Sequence, residues 1–119
     1  MAMTFVETRL GSVKKVKCTW TSNATGDASG STTHGYSGQF LGLITVPGTA
    51  GNQPSDNYDL TVTDSDGVDL LMGGGLNRSN ATTQFIKQAD MAGVASDKLT
   101  FTIAGAGDTK KGAVYLLLR

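Results

Sequence analysis

The densest group of potential ligands in the sequence is Asp64-Ser65-Asp66-Gly67-Val68-Asp69. Calcium is held by several hard oxygens from one loop, and Asp at alternate positions supplies them. An EF-hand also needs an acidic ligand at the twelfth position, which counted from Asp64 is Gly75. The same residues suit a tight turn, because Asp caps backbone N–H groups two residues on and Gly accepts a positive φ. The expected reading is therefore a turn, with no metal. Asp56 and Asp59 bring two more carboxylates nearby. Paired carboxylates can hydrolyse glycosides, but Asp59 alternates with apolar residues as a wetted strand position does.

Other chemistry finds less support. Cys18 is the only cysteine, which excludes an internal disulfide and a Cys-based zinc cluster and fits a reducing cytoplasm. It shares parity with Val16 and Trp20, so it reads as a small buried hydrophobe. His34, the only histidine, stands in a Thr- and Gly-rich stretch with no nucleophile motif around it. Gly73-Gly74-Gly75 is followed by Leu76-Asn77-Arg78, not by the Lys-Ser/Thr of a phosphate loop. Asn23, Asn77 and Asn80 begin glycosylation triplets, which matter only on a secretory route, and residues 1–10 lack a signal peptide's apolar stretch. Trp20, Tyr36 and Tyr58 could form a sugar-stacking face, yet Trp20 and Tyr58 have the parity of core positions. Lys14, Lys15 and Lys17 form one basic cluster and Lys110 and Lys111 a second. They are either a solvated strand face or a contact for an acidic protein partner.

The composition says what must position these groups. Thr occurs 16 times, Ser 9 times and Gly 16 times, and Glu7 is the only glutamate. Thr is stiff at χ1 and fits a pleated sheet, and the charge pairs of long helices are missing. Ten basic and ten acidic residues give zero net charge, which argues against nucleic-acid binding through a broad basic surface. No apolar run approaches the roughly 20 residues of a membrane-spanning helix. The length of 119 residues suits one domain over residues 1–119.

Residues 13–21 alternate cleanly, with Val16, Cys18 and Trp20 inward and Lys15, Lys17, Thr19 and Thr21 outward. Residues 3–10 suggest an earlier strand and residues 31–36 a short edge strand. Residues 39–46 are apolar on both faces, as in a covered central strand. Residues 47–57 hold both prolines and read as a surface loop. Tyr58, Leu60 and Val62 form a half-buried strand, and Asp66-Gly67 signals a hairpin into a returning strand over 68–72. Over residues 82–91 the sequence admits two readings: a short helix capped by Asn80, or a strand over 81–87 and then a loop. Leu99, Phe101 and Ile103 alternate, and residues 113–118 close the chain as an apolar strand. The expected fold is all-β: an antiparallel sandwich or jelly-roll-like barrel of about seven to nine short strands.

The chain resembles the small virion proteins of tailed bacteriophages, of the capsid decoration or cement type. The resemblance rests on residues 56–71 (DNYDLTVTDSDGVDLL), the Gly-rich run into Asn77-Arg78, and the Gly107-Asp108-Thr109-Lys110-Lys111-Gly112 turn before an apolar strand ending at Arg119. It implies a jelly-roll-like sandwich that binds the outside of a head and stabilises it. The implied partner is the major capsid protein, with self-association as a dimer or trimer. The implied location is the capsid surface of the virion, after synthesis in the host bacterial cytoplasm. No catalytic residue, metal or cofactor is implied, and no nucleic-acid or membrane partner. Lys15, Lys17, Gln53, Ser55 and Asp56 are the candidate partner contacts. The competing reading is an Ig-like or sugar-binding module on a tail or head fibre. A small enzyme is the third, and no site suggests it. An exposed aromatic row would favour the fibre module, and a flat apolar patch the cement protein.

Overall fold

The computed structural model describes residues 2–119. The chain is nearly all-β, with nine strands: β1 (Ala2–Thr8), β2 (Lys14–Thr21), β3 (Ala28–Ser31), β4 (Tyr36–Pro47), β5 (Asp59–Thr63), β6 (Gln84–Lys87), β7 (Gly93–Asp97), β8 (Thr100–Ala104) and β9 (Lys111–Leu118). They form two antiparallel sheets. The larger runs β1-β2-β9-β4-β6, with β7 paired to the first residues of β4, and the smaller runs β3-β8-β5.

Period-two alternation sets which side chains meet between the sheets. Val16, Cys18 and Trp20 of β2 and Val114, Leu116 and Leu118 of β9 point inward from the larger sheet, and all are fully buried. Leu60, Val62, Phe101 and Ile103 answer from the smaller one. Strand β4 is longer and irregular. Its pairing with β9 slips between Phe40 and Gly42, so Leu41 is an extra residue. That bulge lets Phe40 and Leu43, three apart, both face the core. The run that reads as covered on both faces is thus inward on one side, while Leu41, Ile44 and Val46 stay half-buried on the other.

Trp20 anchors the join. It is fully buried, and its ring lies 5.5 Å from that of Tyr58. Opposite it in the ladder stands Gly112, where a Cβ would come within 2.5 Å of the indole. The glycine makes room for the tryptophan. At one side the sheets curl together, with Phe5 of β1 edge-on to Phe101 of β8 at 5.4 Å.

Of the two readings of residues 82–91 the strand forms, the strands expected over 68–72 and 31–36 are corrected, and β7 is a strand the sequence does not signal. Residues 82–91 contain no α-helix: Gln84–Lys87 is a strand on β4, followed by a single 3-10 turn at Gln88–Asp90. Ala89, needed on the helical face, is exposed, and the free edge of β4 recruits the segment instead. The returning strand over 68–72 is reduced to one bridge, Thr63 with Asp69. Leu70 and Leu71 are both buried, which successive residues of a one-sided strand cannot be. Turns let both point inward, and the Asp69 carboxylate accepts the N–H groups of Leu71 and Gly73 at 3.1 and 3.0 Å. The expected strand over 31–36 lies earlier, at Ala28–Ser31. Strand β7 carries a single buried side chain, Val94, so its sequence gives little period-two signal.

The Asp64 turn itself forms. Gly67 N–H donates to the Asp64 carbonyl at 3.1 Å, and the Asp64 carboxylate accepts from Asp66 and Val68. Replacing Trp20 by Ala is expected to cost about 3–5 kcal/mol, the range for a large buried aromatic. Urea unfolding of the two proteins checks this, and equal midpoints would place the indole outside the core.

Candidate interaction face

The smaller sheet covers only the inner side of the larger one, so the outer side is open. The ladders align one row across it: Val6, Lys17, Tyr115, Ile44 and Phe85, each directly opposite the next. At strand spacing the row spans about 19 Å. A second row is Thr4, Thr19, Ala113 and Val46, and a third is Thr8, Lys15, Leu117, Gly42 and Lys87. Val6 and Phe85 are 57% and 59% exposed. The Phe85 ring lies over Gly42, where a Cβ would approach it to 2.7 Å.

This face combines an aliphatic and aromatic stripe with one sign of charge. Lys15, Lys17, Lys87 and Lys111 occupy its strand positions and no Asp or Glu does. Lys17 places its ammonium 5.6 Å from the centre of the Tyr115 ring, a cation–π contact. The 3-10 turn at Ala50–Asn52 and the residues before it rise beside the sheet and close a groove of about 360 Å³ with Lys17, Thr19, Val46 and Tyr115. Exposed apolar surface of this kind, framed by polar groups, is the form that protein-binding surfaces take.

The candidate contact residues divide. Lys15 and Lys17 lie on this face, with Lys17 in the groove. Gln53 lines an adjoining hollow and donates to the Asn80 carbonyl at 3.0 Å. Ser55 and Asp56 are exposed but tied inward: Ser55 N–H donates to the Ala106 carbonyl at 2.9 Å, and Asp56 accepts from Asn80 N–H at 3.2 Å. Residues 47–57 are therefore a fixed wall, not a free arm. The sequence reading missed Tyr115, Ile44, Leu117, Val46, Val6 and Phe85. Their exposure depends on which face of the larger sheet the smaller one covers, which alternation alone does not state.

Trp20, Tyr36 and Tyr58, the residues of the possible sugar face, are all buried. Burial pushes the Cys18 thiol up to about 12, so it stays protonated and unreactive at neutral pH. One tight titratable cluster does form. The Glu7 carboxylate accepts the Tyr36 hydroxyl at 2.7 Å, Thr33 N–H at 2.9 Å and His34 N–H at 3.1 Å. Burial alone raises Glu7, but these hydrogen bonds and the nearby His34 outweigh it and hold the carboxyl below its usual range. Burial, then the bond to Glu7, pushes the Tyr36 phenol well above its ordinary value. Every partner of Glu7 is a donor of the chain itself, so the cluster ties β1 to the turn before β4.

A depressed carboxylate adds stability above its unfolded pKa, and that contribution is lost as pH falls through the folded value. Glu7→Gln is therefore expected to melt below the parent at pH 7, with the gap closing between about pH 5 and pH 3. Melting curves across that range check it. A Phe85→Ser variant is expected to lose under about 1 kcal/mol, as an exposed position does, and to bind less of the apolar dye anilinonaphthalene sulfonate. Unchanged dye fluorescence would show that the face does not take up apolar groups. No family model, curated protein or solved structure matches the chain.

Proposed function

We propose that this chain is a structural protein that docks on a larger protein assembly through the outer face of its larger sheet, and that the assembly is the head of a tailed bacteriophage. The observation that carries the docking reading is the Val6–Lys17–Tyr115–Ile44–Phe85 row with its surrounding lysines. The resemblance to capsid decoration proteins supplies the identity of the assembly. In this reading the partner is the major capsid protein, the location is the virion surface, and the role is cementing, not catalysis.

The physical basis is mass action. A protein that binds the assembled shell better than its loose subunits shifts the balance towards the shell. A rigid sandwich suits this, because little is ordered on binding and little conformational entropy is lost. Zero net charge lets many copies crowd on one lattice without long-range repulsion. Copies meet through other surfaces, since stacking two such faces would set lysine against lysine. The row interrupts its two aromatics, Tyr115 and Phe85, with Ile44, and such a mixed apolar surface favours cementing over a sugar-stacking platform.

Heads that lack the protein are expected to rupture at lower temperature than decorated heads. Restoring the parent protein should restore resistance, and a Lys15→Glu, Lys17→Glu double variant should bind at least about tenfold more weakly, some 1.4 kcal/mol. Undecorated heads that survive heating as well as decorated ones would overturn the cement role. Undecorated heads that take the double variant at full strength would overturn the docking face alone.

A further inference from the structure

Strand β6 is the last strand of the larger sheet on the side away from β1. Beyond its ladder with β4, Gln84–Lys87 makes no backbone hydrogen bond among the described residues. A groove of about 450 Å³ runs there, between residues 72–74 and Arg78 on one side and Phe85 and Lys87 on the other, with exposed Asp90 at the rim. Phe85 and Met72, 59% and 67% exposed, give it apolar walls.

Arg78 stands out in this groove. It is only 7% exposed, yet it carries a full charge. Its Nε donates to Thr45 Oγ1 at 3.1 Å and one terminal nitrogen donates to the Gly74 carbonyl at 2.8 Å. The other terminal nitrogen bonds nothing, and no carboxylate of the described residues stands within ion-pair distance. Burial works against the charge, and the nearby Tyr58 phenol offsets it only in part. A buried cation without a counter-ion is costly, and a guanidinium fork held by a hydroxyl and a carbonyl is positioned for a carboxylate.

We propose that this groove receives an extended acidic segment of a partner protein, its carboxylate taken by Arg78 and Lys87 and its backbone laid along the free edge of β6. Charge complementarity selects the acid, and the open edge selects an extended chain, which gains main-chain hydrogen bonds by adding a strand. The apolar walls take the side chains flanking the acid. The proposal does not depend on the partner being a capsid.

The isotope-labelled full chain would be titrated with the blocked peptide acetyl-Thr-Val-Asp-Val-Thr-amide, with its Asn counterpart, and with inorganic phosphate, following amide and arginine Nε signals by NMR. The acidic peptide is expected to shift residues 85–87 and the Arg78 Nε, and to bind about tenfold more tightly than the Asn peptide or phosphate. Lys87→Gln, at an exposed position, should weaken it about threefold, and Arg78→Lys, which removes the fork, about tenfold. The Lys87 variant and the peptide pair keep the test intact should the Arg78 variant fail to fold. Equal binding of the two peptides would overturn carboxylate recognition. Phosphate binding as tight as the acidic peptide would reduce the groove to a plain anion site. Absence of shifts at β6 would overturn the proposal entirely.

Discussion

Strand β9 pairs along its length with β2 on one side and with β4 on the other, and this double ladder holds the larger sheet together. Its register decides everything outside it. Val114, Leu116 and Leu118 face the smaller sheet, so Ala113, Tyr115 and Leu117 must face away. A slip of one residue would exchange the two sets and put leucines in water and the Tyr115 phenol in the core. Gly112 helps fix the register at one end, since a Cβ there would collide with the Trp20 ring. At the other end Arg119 and Gln39 exchange backbone hydrogen bonds at 2.8 and 2.9 Å.

The unequal size of the two sheets turns this register into a surface. Three strands, β3, β8 and β5, bury the inner side of a sheet that is five strands across. The smaller sheet presents mainly Ser and Thr outward: Ser29, Thr102 and Thr61 in one row, and Ser31, Thr100 and Thr63 in the next. Hydroxyls there are compatible with free solvent. The outward row of the larger sheet is not of this kind, because Tyr115, Ile44 and Phe85 leave apolar area uncovered. The contrast between the two outer faces is the reason the docking proposal falls on the larger sheet.

The acidic side chains, meanwhile, are spent on the chain itself. Asp64 and Asp69 each accept two N–H donors of their own loops, and Glu7 of β1 accepts three donors from residues 33–36. Asp97 accepts both the Ser65 amide and hydroxyl, and those bonds hold its carboxyl below the usual range. Lysines on the outer face have no such partners on their own strands. The neutral total thus hides a division: Asp64 and Asp69 serve turns, where backbone donors need acceptors, and four of the seven lysines stand on the open sheet face.

The sequence by itself determined the all-β class, the inward sets of β2, β5 and β8, the existence of an apolar strand at β9, the burial of Trp20 and Cys18, and the Asp64 turn. All of these depend on local alternation or on turn chemistry, which neighbouring residues state directly. Residues 82–91 were evenly balanced locally, and the unpaired edge of β4 decided them. The strand over 68–72 failed because Leu70 and Leu71 both had to reach the core. Strand β7 exists only because β4 offers it a ladder. The same division holds for the site. Lys15 and Lys17 were legible as a wetted strand face. That Tyr115, Ile44 and Phe85 join them in one row was not, because they come from three strands far apart in sequence and only pairing register sets them side by side.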